Sequence, residues 1–265
     1  MDDRIHRVIS NDGTEIAGLI RGEGPPLVLV PGALGDGDPD TSFIVPFLVE
    51  HFTCFCMSPR GRGVSSEHTD HSRERQFEDV AAFVEGIGEP ASAFGHSAGA
   101  VAVLGGAARA AHACRALALY EPALPTTRPV MHSDAYERYC AAVAENRITD
   151  AFWIAIDDVI EPTDDERALF SLPGVADLAA PQVALGVREI PETNRATDAE
   201  SLKQLTMPVL LLEGARSGDH FRDAVRGLSE VLSQVRVVEI TGAGHMGPVT
   251  HPQEVAQELV SFFTE

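Results

Sequence analysis

The chain has 265 residues, 44% of them hydrophobic and 23% charged, which is the balance of an ordinary globular protein and enough length for one large α/β domain carrying an insertion. Its 40 acidic and 20 basic residues leave a formal net charge of −20, which repels phosphate backbones and anionic headgroups and so argues against nucleic acid or a membrane surface as partner. The opening Met1–His6 has no apolar leader-like run, and no apolar stretch approaches the roughly 18–20 residues that span a bilayer, so the expectation is a soluble protein.

Two strand-like runs, Arg4–Ser10 and Glu15–Arg21, flank Asn11-Asp12-Gly13 and read as a hairpin, because these residues adopt positive φ cheaply. Pro26–Val30 is short, wholly apolar and rich in β-branched residues, as suits a parallel strand buried on both faces. It ends in the turn Pro31-Gly-Ala-Leu-Gly35. A helix is expected over Thr41–His51 and a strand over Phe52–Ser58. Cys54 and Cys56 of that strand read as core thiols; with Cys114 and Cys140 they form no disulfide framework or zinc spacing, which fits a reducing, cytoplasmic setting.

Helix Arg75–Gly88, strand Ala91–Phe94, helix Ala98–Ala113 and strand Cys114–Tyr120 continue the alternation, which implies a mostly parallel sheet flanked by helices. The alternation stops at Glu121. Residues 122–199 hold seven prolines, the only tryptophan and helical patches at Tyr136–Val143 and Phe152–Ile160. They are expected to form a helical lid (cap) inserted after the sixth strand, over a core made of 1–121 and 200–265. The sheet resumes with strand Pro208–Glu213, helix Phe221–Leu232, strand Val235–Ile240 and helix Gln253–Phe263, eight strands in all.

The strongest chemical signal is Gly95-His96-Ser97-Ala98-Gly99, set between an apolar strand and a small-residue helix. A strand–turn–helix corner this tight needs small neighbours, and it lifts the serine hydroxyl to a helix N-terminus. Ser97 is therefore the candidate nucleophile. A serine needs a base, and His245 stands out among ten histidines because Thr241-Gly-Ala-Gly-His245 follows the last strand and can carry an imidazole back over the strand ends. His6, His51, His68, His71, His112, His132 and His220 fall on segments read as surface or lid and are expected to be solvated. His68 and His71 lack a third ligand, so no metal is expected, and no cofactor either.

The imidazole needs an acid to hold its tautomer. Two positions offer one: Glu121, on a stiff strand end, and Asp219, in the loop after the strand Pro208–Glu213. Glu121 is preferred, Asp219 is the alternative, and Ser217 stands where a carboxylate of that loop would be looked for. Oxyanion donors are expected from the backbone N–H groups of Ala33 and Ala98. His96, Leu34, Phe152, Trp153 and Met246 are candidates for the substrate pocket. Pro59-Arg60-Gly61-Arg62-Gly63 lacks the Lys-Ser/Thr of a phosphate loop and reads as a structural corner.

With Val30-Pro-Gly-Ala33, Pro59–Gly63, Gly95–Gly99 and Gly242–Pro252 together, the chain resembles the α/β-hydrolase superfamily over nearly its whole length. A glutamate at the position of Glu121 resembles one subfamily of haloalkane dehalogenases and the serine lactonases that open the zearalenone macrocycle. The dehalogenases use an aspartate nucleophile, and this chain has Ser97. The resemblance implies cleavage of an ester, lactone or thioester, and the leading expectation is an esterase or lactonase acting on a small or medium apolar substrate. Carbon–carbon bond hydrolysis, cofactor-free perhydrolysis and a catalytically silent binding role are the alternatives. A small-molecule substrate is the expected partner, and a homodimer stays open.

Overall fold

Asn11-Asp12-Gly13 turns the chain with Gly13 at φ +88°, and β1 (Ile5–Ile9) pairs antiparallel with β2 (Glu15–Arg21). This is the hairpin expected from the sequence. A computed structural model describes residues 4–196 and 202–265, so Met1–Asp3 and the proposed boundary at 199/200 lie outside the described residues.

β3 (Pro26–Val30), β4 (Thr53–Ser58), β5 (Ala91–His96), β6 (Cys114–Tyr120), β7 (Val209–Gly214) and β8 (Val235–Ile240) complete an eight-stranded sheet in the order β1-β2-β4-β3-β5-β6-β7-β8. Strands β3 to β8 run parallel, and β2 joins them antiparallel through β4. The central strands feed two cores at once. Val28 and Val30 face Phe83, Val103 and Leu104 of α2 (Arg73–Glu85) and α3 (Ala98–Arg109), while Leu27 and Leu29 face Phe94, Tyr120 and Leu259 on the other side. Burial on both faces is why β3 shows no polar alternation.

Arg60 sits at the corner after β4, completely buried. Its Nε and Nη2 donate to Asp79 at 2.7 and 2.6 Å, and Nη1 donates to Asp12 at 2.9 Å, so it fastens the hairpin turn to α2. This is the structural part that the sequence pattern suggested.

The expected helix over 41–51 is not formed. The chain makes the short α1 (Gly37–Thr41) and one tight turn, Val45–Phe47. Pro46 is the reason, since it has no N–H to donate to the carbonyl four residues back.

Between β6 and β7 stand α4 (Ser133–Ala144), α5 (Ile148–Ala155), which runs on into a π-helical turn over Ile156–Ile160, α6 (Asp164–Phe170) and α7 (Val175–Thr193). Their own apolar cluster forms around Tyr139, Phe152, Ile156 and Val183, with Leu34 and Met246 of the core packed against it. The two helical patches foreseen in the sequence belong to α4 and α5. Helix α7 was hidden by Pro181 and Pro191, which it carries within its length. Among the described residues no single helix is long and apolar enough to cross a membrane.

Candidate active site

The turn from β5 into α3 places Ser97 at φ 55° and ψ −119°, a left-handed backbone that a non-glycine residue enters only under strain. The corner is closed by near contact of backbones. A Cβ on Gly99 would lie 2.3 Å from the Pro31 carbonyl oxygen, and one on Gly95 would lie 2.6 Å from Ala100 Cα. Any larger residue at either position would push the elbow off the sheet. Ala98 is the first residue of α3, so its N–H has no acceptor within the helix and stays available beside the hydroxyl.

The turn after β3 approaches the same point: a Cβ on Gly32 would be 3.4 Å from Ser97 Cβ. Arg62 holds that turn from behind, donating from Nη2 to the Ala33 carbonyl at 2.7 Å. Ala33 and Ala98 both line the cavity that contains Ser97.

Glu121 directly follows β6, fully buried and itself left-handed at φ 43°. Its Oε1 accepts the Gly214 N–H at 2.6 Å, and its Oε2 accepts from His245 Nδ1 at 2.7 Å. Burial pushes the Glu121 carboxyl up, and the Gly214 N–H opposes this. The nearby Ser217 hydroxyl pulls the same way electrostatically but lies outside hydrogen-bond geometry, so Gly214 is the anchor. Asp219, the alternative acid, is exposed at the start of the helix Asp219–Val231, without a hydrogen bond to the imidazole. It drops out because that helix turns its first residue to solvent.

The loop carrying His245 is gripped at three consecutive residues. Tyr120 Oη donates to the Gly244 carbonyl at 2.7 Å, His96 Nε2 donates to the His245 carbonyl at 2.9 Å, and the Met246 N–H donates to Glu166 Oε1 at 2.5 Å. The Phe221 ring stacks on the imidazole with centroids 3.8 Å apart and planes 10° from parallel. Burial lowers the His245 pKa to about 3; the charge of Glu166 raises it, and His220 lowers it further. The resting ring is therefore neutral, as a base must be. His96 is lowered likewise by burial and by His245, to about 3, and stays a neutral donor.

Ser97 and His245 share the wall of one cavity of about 420 Å³. Among the described residues Ser97 Oγ has no hydrogen-bond partner, the His245 ring included. Such bonds are commonly long in unliganded enzymes and tighten when substrate arrives.

Leu34, His96, Phe152 and Met246 line the cavity as expected, but Trp153 does not. Its ring packs edge-on against Phe152 and under the Arg167 guanidinium, on the outer side of α5, because adjacent helical residues point some 100° apart.

Several functional neighbours were not foreseen. Asp40 lines the cavity with its carboxyl pushed up to about 6 by burial. His71 and His220 are buried rather than solvated: His71 Nδ1 pairs with Glu189 Oε1 at 2.9 Å, and His220 Nε2 donates to the Val159 carbonyl at 3.1 Å. Glu189, on α7, also accepts from Arg62 Nη2 at 2.5 Å. Glu166, which holds the Met246 N–H, was also not foreseen; its Thr163-x-x-Glu166 pattern could have pointed to it in advance only as a helix cap.

The model of the alpha/beta hydrolase family matches residues 27–258. A crystal structure of an alpha/beta hydrolase from Sphaerobacter thermophilus is similar, with TM-score 0.82 and 29% identity over 97% of this chain and 100% of that one. An esterase from a Rhodococcus species has TM-score 0.79 at 20% identity, covering 98% of each chain. A bromoperoxidase from Bacillus anthracis has TM-score 0.77 at 19% identity, covering 99% of this chain and 100% of that one. At these identities the last two show a common fold. No curated protein matches the chain.

Proposed function

The chain belongs to the alpha/beta hydrolase family, and from that premise we propose that it is a serine esterase or lactonase for neutral, apolar substrates of small to medium size. The observation that carries this reading is the 2.7 Å bond between His245 Nδ1 and Glu121 Oε2 at the edge of the cavity that holds the strained Ser97.

In this reading Ser97 Oγ attacks the carbonyl carbon while its proton passes to His245 Nε2. The Nδ1–H stays on the ring and donates to Glu121, which stabilises the imidazolium that forms. The carbonyl oxygen becomes an oxyanion between the N–H groups of Ala33 and Ala98. Collapse expels the alkoxide, which takes the proton from Nε2 and leaves as the alcohol. A water then repeats the sequence on the acyl-enzyme, releasing the acid and restoring Ser97. The helices between β6 and β7 act as a lid whose inner wall receives the apolar part of the substrate.

The character of the wall supports a neutral substrate. It is mostly apolar, and its charged members are the acids Asp36, Asp40 and Glu189; among the described residues no lysine or arginine lines it. A carboxylate or phosphate on the substrate would be desolvated there without a counter-charge.

A fluorophosphonate probe should label Ser97, and a graded series of p-nitrophenyl esters beside a set of lactones should show turnover rising with acyl length. A p-nitrophenyl hemisuccinate should be cleaved far more slowly than the butyrate. Absence of labelling at Ser97 would instead favour a silent binding protein.

A further inference from the structure

Glu166 is the third residue of α6, and in its local role it is an ordinary helix cap. Thr163 Oγ1 accepts the Glu166 N–H at 3.3 Å, and Glu166 Oε2 accepts the Thr163 N–H at 2.9 Å. A capping glutamate needs only one oxygen for this and normally leaves the other in water. Here the side chain is instead almost completely buried, and the second oxygen crosses from the insertion to the core, where it takes the N–H of the residue that follows His245.

The core has room for it by construction. A Cβ on Gly244 would lie 2.6 to 2.8 Å from the Glu166 carboxylate, so only glycine at 244 leaves the notch open. Two other grips on this loop, Tyr120 on the Gly244 carbonyl and His96 on the His245 carbonyl, come from ends of the sheet strands, and the Arg216 N–H, in the loop after β7, donates to the Ala243 carbonyl at 2.8 Å. Among the described residues, Glu166 makes the hydrogen bond that ties the loop to the insertion. A carboxylate accepting a backbone N–H in a buried setting is among the stronger single hydrogen bonds available to a protein.

We propose that Glu166 is a positioning residue for the base: reaching from the helical insertion into the notch at Gly244, it fixes the backbone on which His245 meets Ser97 and Glu121. The proposal rests on the Ser97–His245–Glu121 reading above. It gives the insertion a part in the chemistry beyond enclosing substrate, because α6 also carries cavity residues Leu169 and Phe170 on the same helix. The other titratable groups around the imidazole are Glu121 from the turn after β6, His96 from β5, Tyr120 from β6 and His220 from the helix Asp219–Val231.

The test separates capping from positioning. Glu166→Ala removes both bonds, whereas Thr163→Ala removes the threonine half of the cap and leaves the Met246 bond in place. Each is assayed on a p-nitrophenyl ester for kcat and KM, with melting temperature measured alongside, and the low-field proton resonance of His245 Nδ1–H is recorded in the resting protein.

Glu166→Ala is expected to lower kcat by roughly a hundredfold with KM little changed, the scale of a misplacement of about 1 Å, and to shift or broaden the Nδ1–H resonance. Thr163→Ala should keep kcat within about twofold and leave the resonance where it was, with the lost cap showing as a lower melting temperature. Glu166→Gln keeps one acceptor oxygen and should recover part of the rate; it also serves if the alanine variant does not fold. Parental kcat in Glu166→Ala or Glu166→Gln, or an equal loss of kcat in Thr163→Ala, would overturn the proposal. A Ser97→Ala control distinguishes the failures: if that variant keeps the parental rate, the triad reading is what fails; if it is inactive while the Glu166 variants are normal, only the role of Glu166 falls.

Discussion

The sheet core and the helical insertion are held together by different forces, and the contrast explains how the site is divided. In the core, Ser97 and Glu121 directly follow β5 and β6 and His245 lies on the loop after β8, strands whose positions are set by backbone ladders and by side chains buried on both sheet faces. The insertion has its own small apolar cluster and meets the core through scattered side-chain ties. Two of these ties are buried carboxylates. Glu189 of α7 joins Arg62 and His71 behind the Ala33 turn, and Glu166 of α6 joins the His245 loop. In the proposed reading the reacting groups sit on the sheet layer, and the insertion supplies part of the cavity wall. The two carboxylates keep the wall in register with the chemistry.

The largest expected break is at Ser97. Ser97→Ala should lower turnover by about 10⁴-fold or more while the circular dichroism spectrum and melting temperature stay close to the parent. Retention of even a tenth of the activity would remove the core's claim to the chemistry.

Next comes the acid. Glu121→Gln leaves the Gly214 contact possible but presents an amide to His245 Nδ1, so the ring loses its tautomer and kcat should fall by about 10³- to 10⁴-fold. Asp219→Asn, on the exposed helix start, should change kcat by less than about twofold. Reversal of that order would move the acid to the other loop.

The smallest effect sharpens the comparison at the join between the layers. Burial lowers the His71 pKa, but hydrogen bonds and charges from Glu189 and Glu67 outweigh it, so the ring titrates above its ordinary 6.5. A raised pKa means that the protonated ring stabilises the folded state fully below that ordinary value, and the contribution is lost as pH rises through the higher folded one. Melting temperature should therefore decline as pH is taken upward from 6.5, and His71→Gln should flatten that decline. A parental protein with no slope in this range would show that the Glu189 tie carries no charge on its histidine side.

Much of the core was legible in the sequence because each signal there is local. Pro26–Val30 and Cys114–Tyr120 coincide with β3 and β6, since a strand buried on both faces is almost wholly apolar, the exposed Arg115 near the start of β6 being the one exception in the two. The elbow was legible because its glycines answer to backbone contacts that no other residue fits. The helix expected over 41–51 failed at Pro46, and α7 was obscured because its prolines read as breaks although neighbouring packing holds the helix through them.

What the sequence determined by itself was therefore the layered α/β frame and the identity of the nucleophile and base candidates, because strand periodicity and tight-turn chemistry depend on residues adjacent in the chain. Only the tertiary structure decided that Glu121 rather than Asp219 faces the imidazole, that Trp153 turns away from the cavity, and that Glu166, Glu189 and His71 are buried partners. A charged side chain's partner lies on another element, 80 or more positions away in these three pairs, and burial, which alone makes such a pairing matter, is a property of the packed molecule.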